Sequence, residues 1–378
     1  MHPPQQKRHI LHRTLLCAIL LPGILYCSPD AEPGFPPILA AVASESNPAE
    51  ATSGPFYPLA DTGQSLCYDE SSSISCGGTS FPNQDGDVTS PVPRGLRPPQ
   101  LNDGYPADYI TVDQSTGLVW KTCLPGLSGV SCSNGSAQTS DWSAAMAICQ
   151  ALNSANSGAG YAGRTDWRLS TTAELETIHS YGLASPALYA GHFPGNPSIQ
   201  NWTATEYSGS ATVAFAMSVA DGNTTTEAKT NTFVARCVSG ERRAPTFTDN
   251  GNGTVTETTT GLIFQKCSSG QTNDASCTGT VTNLTWKDAL LYCYGLTLAG
   301  RSDWRLPALN ELKLLLDRSV NNPASNAAQF PNTSNGFYWT STTAHFNATS
   351  AWRLDFSVGN VLVTTKTVTY PARCVRGP

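Results

Sequence analysis

Two stretches of this chain, offset by about 140 residues, carry four cysteines each in the same order, and no other feature constrains the fold as strongly. The first reads Thr116-Gly117-Leu118-Val119-Trp120-Lys121-Thr122-Cys123, then Cys132, then Trp142 to Cys149. It continues with Gly163-Arg164-Thr165-Asp166-Trp167-Arg168-Leu169 and closes on Ala235-Arg236-Cys237-Val238. The second reads Thr260-Gly261-Leu262-Ile263-Phe264-Gln265-Lys266-Cys267, then Cys277, then Trp286 to Cys293. Gly300-Arg301-Ser302-Asp303-Trp304-Arg305-Leu306 follows, and the copy closes on Ala372-Arg373-Cys374-Val375. Cysteine separations are 9, 17 and 88 in the first copy and 10, 16 and 81 in the second. A period this long marks a duplicated domain, not a solenoid.

With Cys17 and Cys27 set aside, ten cysteines remain, an even number that reads as a disulfide framework in an exported chain. Four cysteines per copy allow three pairings. Proximity favours Cys123 with Cys132 and Cys267 with Cys277, which leaves Cys149 with Cys237 and Cys293 with Cys374. Cys67 and Cys76 read as a stapled hairpin packed on the first copy. Export is written at the N-terminus, where Lys7, Arg8 and Arg13 precede an apolar run from Leu15 to Leu25. That run is too short to span a bilayer and has the length of a signal-peptide core. The expected organisation is a signal segment over 1–27, extending to 43 if cleavage follows Ala41-Val42-Ala43, and a Pro/Ala-rich stalk over 28–60. A small disulfide-containing extension over 61–107 and repeats over 108–240 and 247–378 complete it. Cys27 is where a lipid anchor could attach.

Within each copy, Trp142, Ala145, Met146, Cys149 and Leu152, like Trp286, Ala289, Leu290, Cys293 and Leu296, recur at helical spacing and place Trp and Cys on one buried face. A second short helix follows each Asp-Trp-Arg-Leu segment. Thr171 and Glu174 can form a capping box, whereas Ala308 before Glu311 lacks the side-chain cap. Ala351 to Val358 alternates as a strand and turns through Gly359-Asn360 into Val361-Leu362-Val363. Each copy is therefore expected to be α+β, two short helices against a small antiparallel sheet. A buried guanidinium needs a carboxylate, so Arg168 and Arg305 are expected to pair with Glu174 and Glu311 while Trp167 and Trp304 fill the core. Asp166 and Asp303 belong to the same structural motif.

The net charge is −6. An acidic chain without a basic run argues against nucleic acid as a partner. No Gly-x-Ser-x-Gly, His-Glu-x-x-His or phosphate-loop motif is present. His179, His192 and His345, the histidines beyond the signal region, sit in no nucleophile or metal motif, so no enzyme activity is expected. Asp249-Asn250-Gly251-Asn252-Gly253 offers oxygen ligands but lacks the terminal Glu of a calcium loop. It reads as a hairpin turn. No cofactor is expected, the metal content is unknown, and structural calcium elsewhere is left open.

Thr-Gly-Leu followed by an aromatic, the Gly-Arg-x-Asp-Trp-Arg-Leu segment with Glu-Leu after it, Phe337-Tyr338-Trp339-Thr340-Ser341-Thr342 and the closing Arg-Cys-Val-Arg together resemble the Lcl C-terminal domain family of bacterial surface proteins. The second copy is the closer match; the first has Ser170 in place of Pro307 and no Asp-Asn-Gly turn at its start. The resemblance implies two tandem C-type-lectin-like domains, of the fold group shared with sulfatase-modifying factors, in which a helix cysteine pairs with one in the last strand. It also implies surface attachment, since a well-known member is an adhesin for sulfated glycosaminoglycans. The expected function is thus that of a secreted or cell-surface binding and adhesion protein recognising extracellular carbohydrate. The alternative is an envelope or protein-interaction module without a glycan ligand, so the partner is an extracellular polysaccharide or a surface protein. Tyr338, Trp339, His345, Asn347, Trp352 and Arg353 are the candidate ligand-binding residues, since exposed aromatic rings can stack on sugars. The irregular stretches Asn321 to Asn335 and His345 to Thr349 are the candidate binding loops.

Overall fold

The computed structural model describes residues 59–88, 95–102, 104–183 and 187–377. The signal segment, Cys27 and the Pro/Ala-rich stretch as far as residue 58 lie outside the described residues. No helix among the described residues is long and apolar enough to cross a membrane. All five cysteine pairs favoured by the sequence are disulfide-bonded: Cys67–Cys76, Cys123–Cys132, Cys149–Cys237, Cys267–Cys277 and Cys293–Cys374.

Each repeat begins by folding a strand back on itself through its Thr-Gly-Leu sequence. Tyr105–Val112 returns as Val119–Lys121, and Thr254–Glu257 returns as Ile263–Gln265. Gly117 and Gly261 each have φ of 76° in these turns, a conformation that any side chain disfavours. Buried carboxylates tie the turns down: Thr116 Oγ1 donates to Asp113 at 2.8 Å and Thr260 Oγ1 to Glu257 at 2.6 Å. The returning strand then pairs with the last strand of its own repeat, Trp120 opposite Val238 and Phe264 opposite Val375. The start and end of each repeat therefore adjoin.

The first repeat lacks an Asp-Asn-Gly sequence at its start but still opens with a tight turn. Gln100–Asn102 pairs with Tyr105–Val112, Asn102 lying opposite Tyr105, so the chain reverses between these two residues, where the sequence carries Asp-Gly, a strong two-residue hairpin signal. A boundary at 107/108 cuts through that strand.

Four helices follow the expected spacing: α1 (Trp142–Ala151), α2 (Thr172–Leu175), α3 (Trp286–Tyr294) and α4 (Leu309–Lys313). On α3 the residues Trp286, Ala289, Leu290 and Cys293 are all buried; on α1 Ala145 and Cys149 are buried and Trp142 is half-buried. Thr171 and Glu174 form the capping box at α2. At α4 the Ala308 side chain has no oxygen to offer, so the box is half-made. Glu311 accepts the Ala308 N–H at 2.8 Å, and Thr342 from a neighbouring strand accepts the Leu309 N–H at 2.9 Å. A tertiary hydroxyl thus satisfies a donor that the local sequence leaves open.

The largest departure from two separate small sheets is one eight-stranded sheet shared by both repeats. Its order is 337–343, 350–355, 361–365, 224–228, 213–218, 200–206, 233–235, 139–140. It is not purely antiparallel, since Gln200–Glu206 runs parallel to Phe233–Ala235. The repeats join where Thr224 pairs with Val361. Both residues start the third strand of their meanders: Thr224 lies opposite Met217 and Val361 opposite Leu354. Equivalent edge strands that meet antiparallel at equivalent residues imply a local two-fold axis. One apolar cluster accordingly draws on both repeats, with Leu175, Ile178, Tyr181 and Met217 packed among Leu309, Leu312, Trp352 and Leu354.

The segment before the first repeat also departs from expectation. The Cys67–Cys76 hairpin packs on the second repeat, not the first: Phe81 stacks on Trp286 at 6.3 Å, and Lys366 Nζ donates to Asp69 O at 2.7 Å. Upstream, the expected stalk ends in packed residues, since Asn310 Nδ2 donates to Ala60 O at 2.8 Å. Thr62 O accepts the Tyr181 N–H at 2.7 Å, while the Gln64 amide brackets the backbone of Thr343 at 2.7 and 3.0 Å. The strap therefore crosses the junction between repeats before docking on the second.

Asp85 anchors that dock and makes it sensitive to pH. Thr342 Oγ1 donates to its carboxylate at 2.6 Å, and burial pushes its pKa from 3.8 up to about 7. The folded state therefore holds a proton that the unfolded chain has released, and stability falls as pH rises from about 4 to about 7. The thermal midpoint measured across that window should decline in the native protein and stay flatter in Asp85→Asn. A decline of equal slope in both would remove Asp85 as its source.

Candidate functional site

The Asp-Trp-Arg-Leu motif is structural, as its chemistry required. Arg168 grips Glu174 through two hydrogen bonds of 2.7 Å, and Arg305 grips Glu311 through two of 2.6 Å. Trp167 and Trp304 are buried, donating their indole N–H to Tyr161 O at 2.8 Å and Arg301 O at 3.2 Å. Asp166 accepts the Gly240 N–H, and Asp303 holds Arg376 at 2.8 Å. Each motif thereby ties the middle of its repeat to its closing strand.

The sequence reading missed the role of the arginine before each last cysteine. Arg236 and Arg373 are fully buried and form no ion pair among the described residues. Arg236 donates to Thr122 O at 3.2 Å and lies 4.9 Å over the Phe193 ring; Arg373 donates to Thr333 Oγ1 at 3.0 Å and lies 4.9 Å over Phe330. Burial lowers the pKa of Arg236 to about 9 and lowers that of Arg373 as well.

Three of the six candidate ligand residues cannot meet a ligand where they stand. Tyr338 and Trp339 are 0% exposed and Trp352 is 1% exposed. Tyr338 stacks edge-on to Phe356 at 4.9 Å, Trp339 donates its indole N–H to Leu284 O at 2.8 Å, and Trp352 meets Tyr181 of the other repeat at 4.9 Å. Tyr338 and Trp339 are neighbours on one strand and lie on its opposite faces, so that strand is covered on both sides. Arg353 is half-buried and clamped between aromatic rings, 3.6 Å from the Phe337 centroid and hydrogen-bonded to Tyr370. His345 and Asn347 are exposed, on the turn joining Phe337–Thr343 to Ser350–Asp355. Asn347 Oδ1 shapes that turn by accepting from Thr349 Oγ1 at 2.8 Å. Phe346, between them, is 45% exposed and touches Trp352 edge-on at 6.4 Å.

The second candidate loop, Asn321 to Asn335, is largely tied down. Phe330 is buried against Phe264, and Asn332 Nδ2 donates to Ser276 O at 2.9 Å. The Asp249 turn is a hairpin whose carboxylate pairs with Lys266 at 2.7 Å. Among the described residues, one group of metal-ligating side chains converges, Cys67, Cys76 and Asp87, and its two sulfurs form a disulfide. The histidines stand apart: His179 is buried near Tyr181, His192 is edge-on to Tyr189 at 6.0 Å, and His345 is exposed.

Two concavities are lined by described residues. A cleft of about 280 Å³ lies at the junction of the repeats, bordered by Glu176, Arg242, Lys313 and Arg318. Arg318 reaches Glu176 at 2.8 Å and Lys313 approaches it at 3.9 Å. Burial acts to raise the Glu176 carboxyl, but Arg318 and Lys313 outweigh it and hold the pKa below its ordinary value. Lys313 Nζ also donates to Tyr181 Oη. With residues matched by their distance from the Asp-Trp-Arg-Leu motif, Glu176 corresponds to Lys313 and Tyr181 to Arg318. The two contacts are therefore mates across the local two-fold, and this cleft is chiefly the seam between repeats. A pocket of about 400 Å³ lies within the first repeat, beside Lys121, Ile148 and Tyr161.

No curated protein is matched by this sequence. The family model of the Lcl C-terminal domain matches it twice, over residues 109–239 and 253–376, the two copies whose cysteines, Arg–Glu clasps and closing strands have just been described. The chain belongs to the Lcl C-terminal domain family, in tandem duplicate.

Proposed function

We propose that this is an exported surface protein that binds extracellular carbohydrate, with the tip of the second repeat as the contact surface. One observation carries the reading: Phe346 presents an exposed ring flanked by His345, Asn347 and Thr349, an apolar platform with a polar rim. Such a rim can hydrogen-bond sugar hydroxyls while the ring meets a sugar's C–H face. The disulfide framework supports function outside the cytoplasm. A C-type-lectin-like arrangement for each repeat belongs to the same proposal, supported by the tie between helix cysteine and last strand.

The test uses the full oxidised chain, because an isolated second repeat would expose the core it shares with the first. Binding to a glycan panel that includes sulfated polysaccharides is measured with and without a calcium chelator. Phe346→Ala should weaken binding up to about tenfold, the scale of one aromatic stacking contact, and leave the thermal midpoint unchanged. A folded protein that binds no glycan on the panel would favour an envelope or protein-interaction role instead.

A further inference from the structure

We infer that the pocket of the first repeat binds a small organic anion, a carboxylate carried on an apolar body, with the Lys121 ammonium as its counter-ion. This stands independently of the carbohydrate reading, on a different repeat and different residues.

Lys121 ends the strand Val119–Lys121 and is 9% exposed. Its Nζ donates one hydrogen bond, to Cys123 O at 2.8 Å, and the Tyr161 ring centroid is 5.4 Å away. No carboxylate among the described residues forms an ion pair with it. An ammonium has three donors, and a buried charge without a counter-charge is costly. The adjoining charged groups explain why it has none. Asp108, at the pocket's edge, directs Oδ2 to Asn156 Nδ2 at 2.7 Å and to the Ala162 N–H at 2.8 Å. Burial first, and then repulsion from the buried Arg236, lower the Lys121 pKa to about 8, with the charge of Asp108 opposing them only in part. The pocket beside this ammonium has the volume of a small-molecule site. Its walls are Pro125 and Leu127 from the stapled loop, Ile148 from α1, Leu152 just after that helix, and Tyr161. A cation at one end and apolar walls around it fit an amphipathic anion.

The second repeat shows the same place with its polar groups satisfied internally. Counting from the matched cysteines, Gln265 replaces Lys121 and Tyr292 replaces Ile148. Gln265 Nε2 donates to Tyr292 Oη at 3.0 Å and to Asn273 Oδ1 at 3.3 Å. A neutral amide and a tyrosine hydroxyl thus meet each other's needs, and no charge calls for a partner. The fold does not require a lysine here, because its own duplicate does without one.

The experiment measures binding of benzoate and of its neutral isostere benzamide to the full oxidised chain by ligand-observed NMR. Benzoate should bind about tenfold or more tightly than benzamide, the scale of a charge-assisted hydrogen bond. Lys121→Gln should abolish that preference without lowering the thermal midpoint, and Ile148→Tyr, which copies the second repeat, should reduce binding of both compounds. Competitive amine labelling read by mass spectrometry should show Lys121 titrating near 8 in the free protein and at higher pH with benzoate present. Equal binding of the two compounds, a preference that survives Lys121→Gln, or no benzoate binding at millimolar concentration would each overturn the assignment.

Discussion

Replacing both Cys293 and Cys374 with serine is expected to destabilise the protein by about 4.5 kcal/mol, against about 2.7 kcal/mol for replacing Cys267 and Cys277, on the chain-entropy account of cross-links. The difference comes from loop size. The first bridge closes a separation of 81 residues and the second a separation of 10, and the longer loop removes more freedom from the unfolded chain. All four sulfurs are buried to the same degree, so the cost of introducing hydroxyl groups cancels in the comparison. The longer bridge also joins α3 to the segment whose Cys374 O accepts the Gln265 N–H at 2.8 Å. It therefore secures the meeting of the repeat's two ends. Denaturant melts of the two oxidised variants provide the check. Equal losses would mean that the bridges act through native-state packing and not through the unfolded chain.

Arg318→Ala is expected to cost up to roughly 3 kcal/mol, the low end of the range for breaking a buried ion pair, because Lys313 stays 3.9 Å from Glu176. Glu176 and Arg318 have side chains only 5% and 8% exposed, and Arg318 also donates to Gly359 O at 3.0 Å while lying 5.3 Å over Phe215. The substitution thus removes a charge partner and a ring contact that span the two repeats, together with a backbone bond within the second. Replacing both members, as Glu176→Leu with Arg318→Met, should recover only part of the loss, because the buried Lys313, 3.9 Å from Glu176, then loses that carboxylate. Calorimetry would show whether the single substitution also splits one unfolding transition into two. A silent Arg318→Ala would mean that the repeats do not meet through this seam in solution.

Legibility in the sequence followed the range of the interactions. The Arg305 to Glu311 clasp spans six residues, the α3 face repeats every three to four, and the reversal before Val361 is local, although its strand ends at Asp355 and not at Val358. Each could be read from spacing and residue chemistry. Asp103-Gly104 is an equally local signal, but the strand before it lies outside the stretch that the two copies share from Thr-Gly-Leu onward. Phe346 was passed over for a different reason. Its neighbours His345 and Asn347 stood out as polar loop residues, while a lone phenylalanine in a loop gives no sign of whether its ring is covered.

By itself, the sequence determined the duplication and the family and favoured one of the three cysteine pairings in each copy, since period, parity and short-range complementarity are properties of the chain. Only the tertiary structure decided that Tyr338, Trp339 and Trp352 are core. Strand alternation separates two faces but does not say whether a second layer covers the one that could bind. Only the tertiary structure placed the Cys67–Cys76 hairpin on the second repeat, where Gln64 meets Thr343 across 279 residues. Contacts at that separation leave no periodic trace, because they arise from the fit of surfaces that do not exist until both repeats have folded.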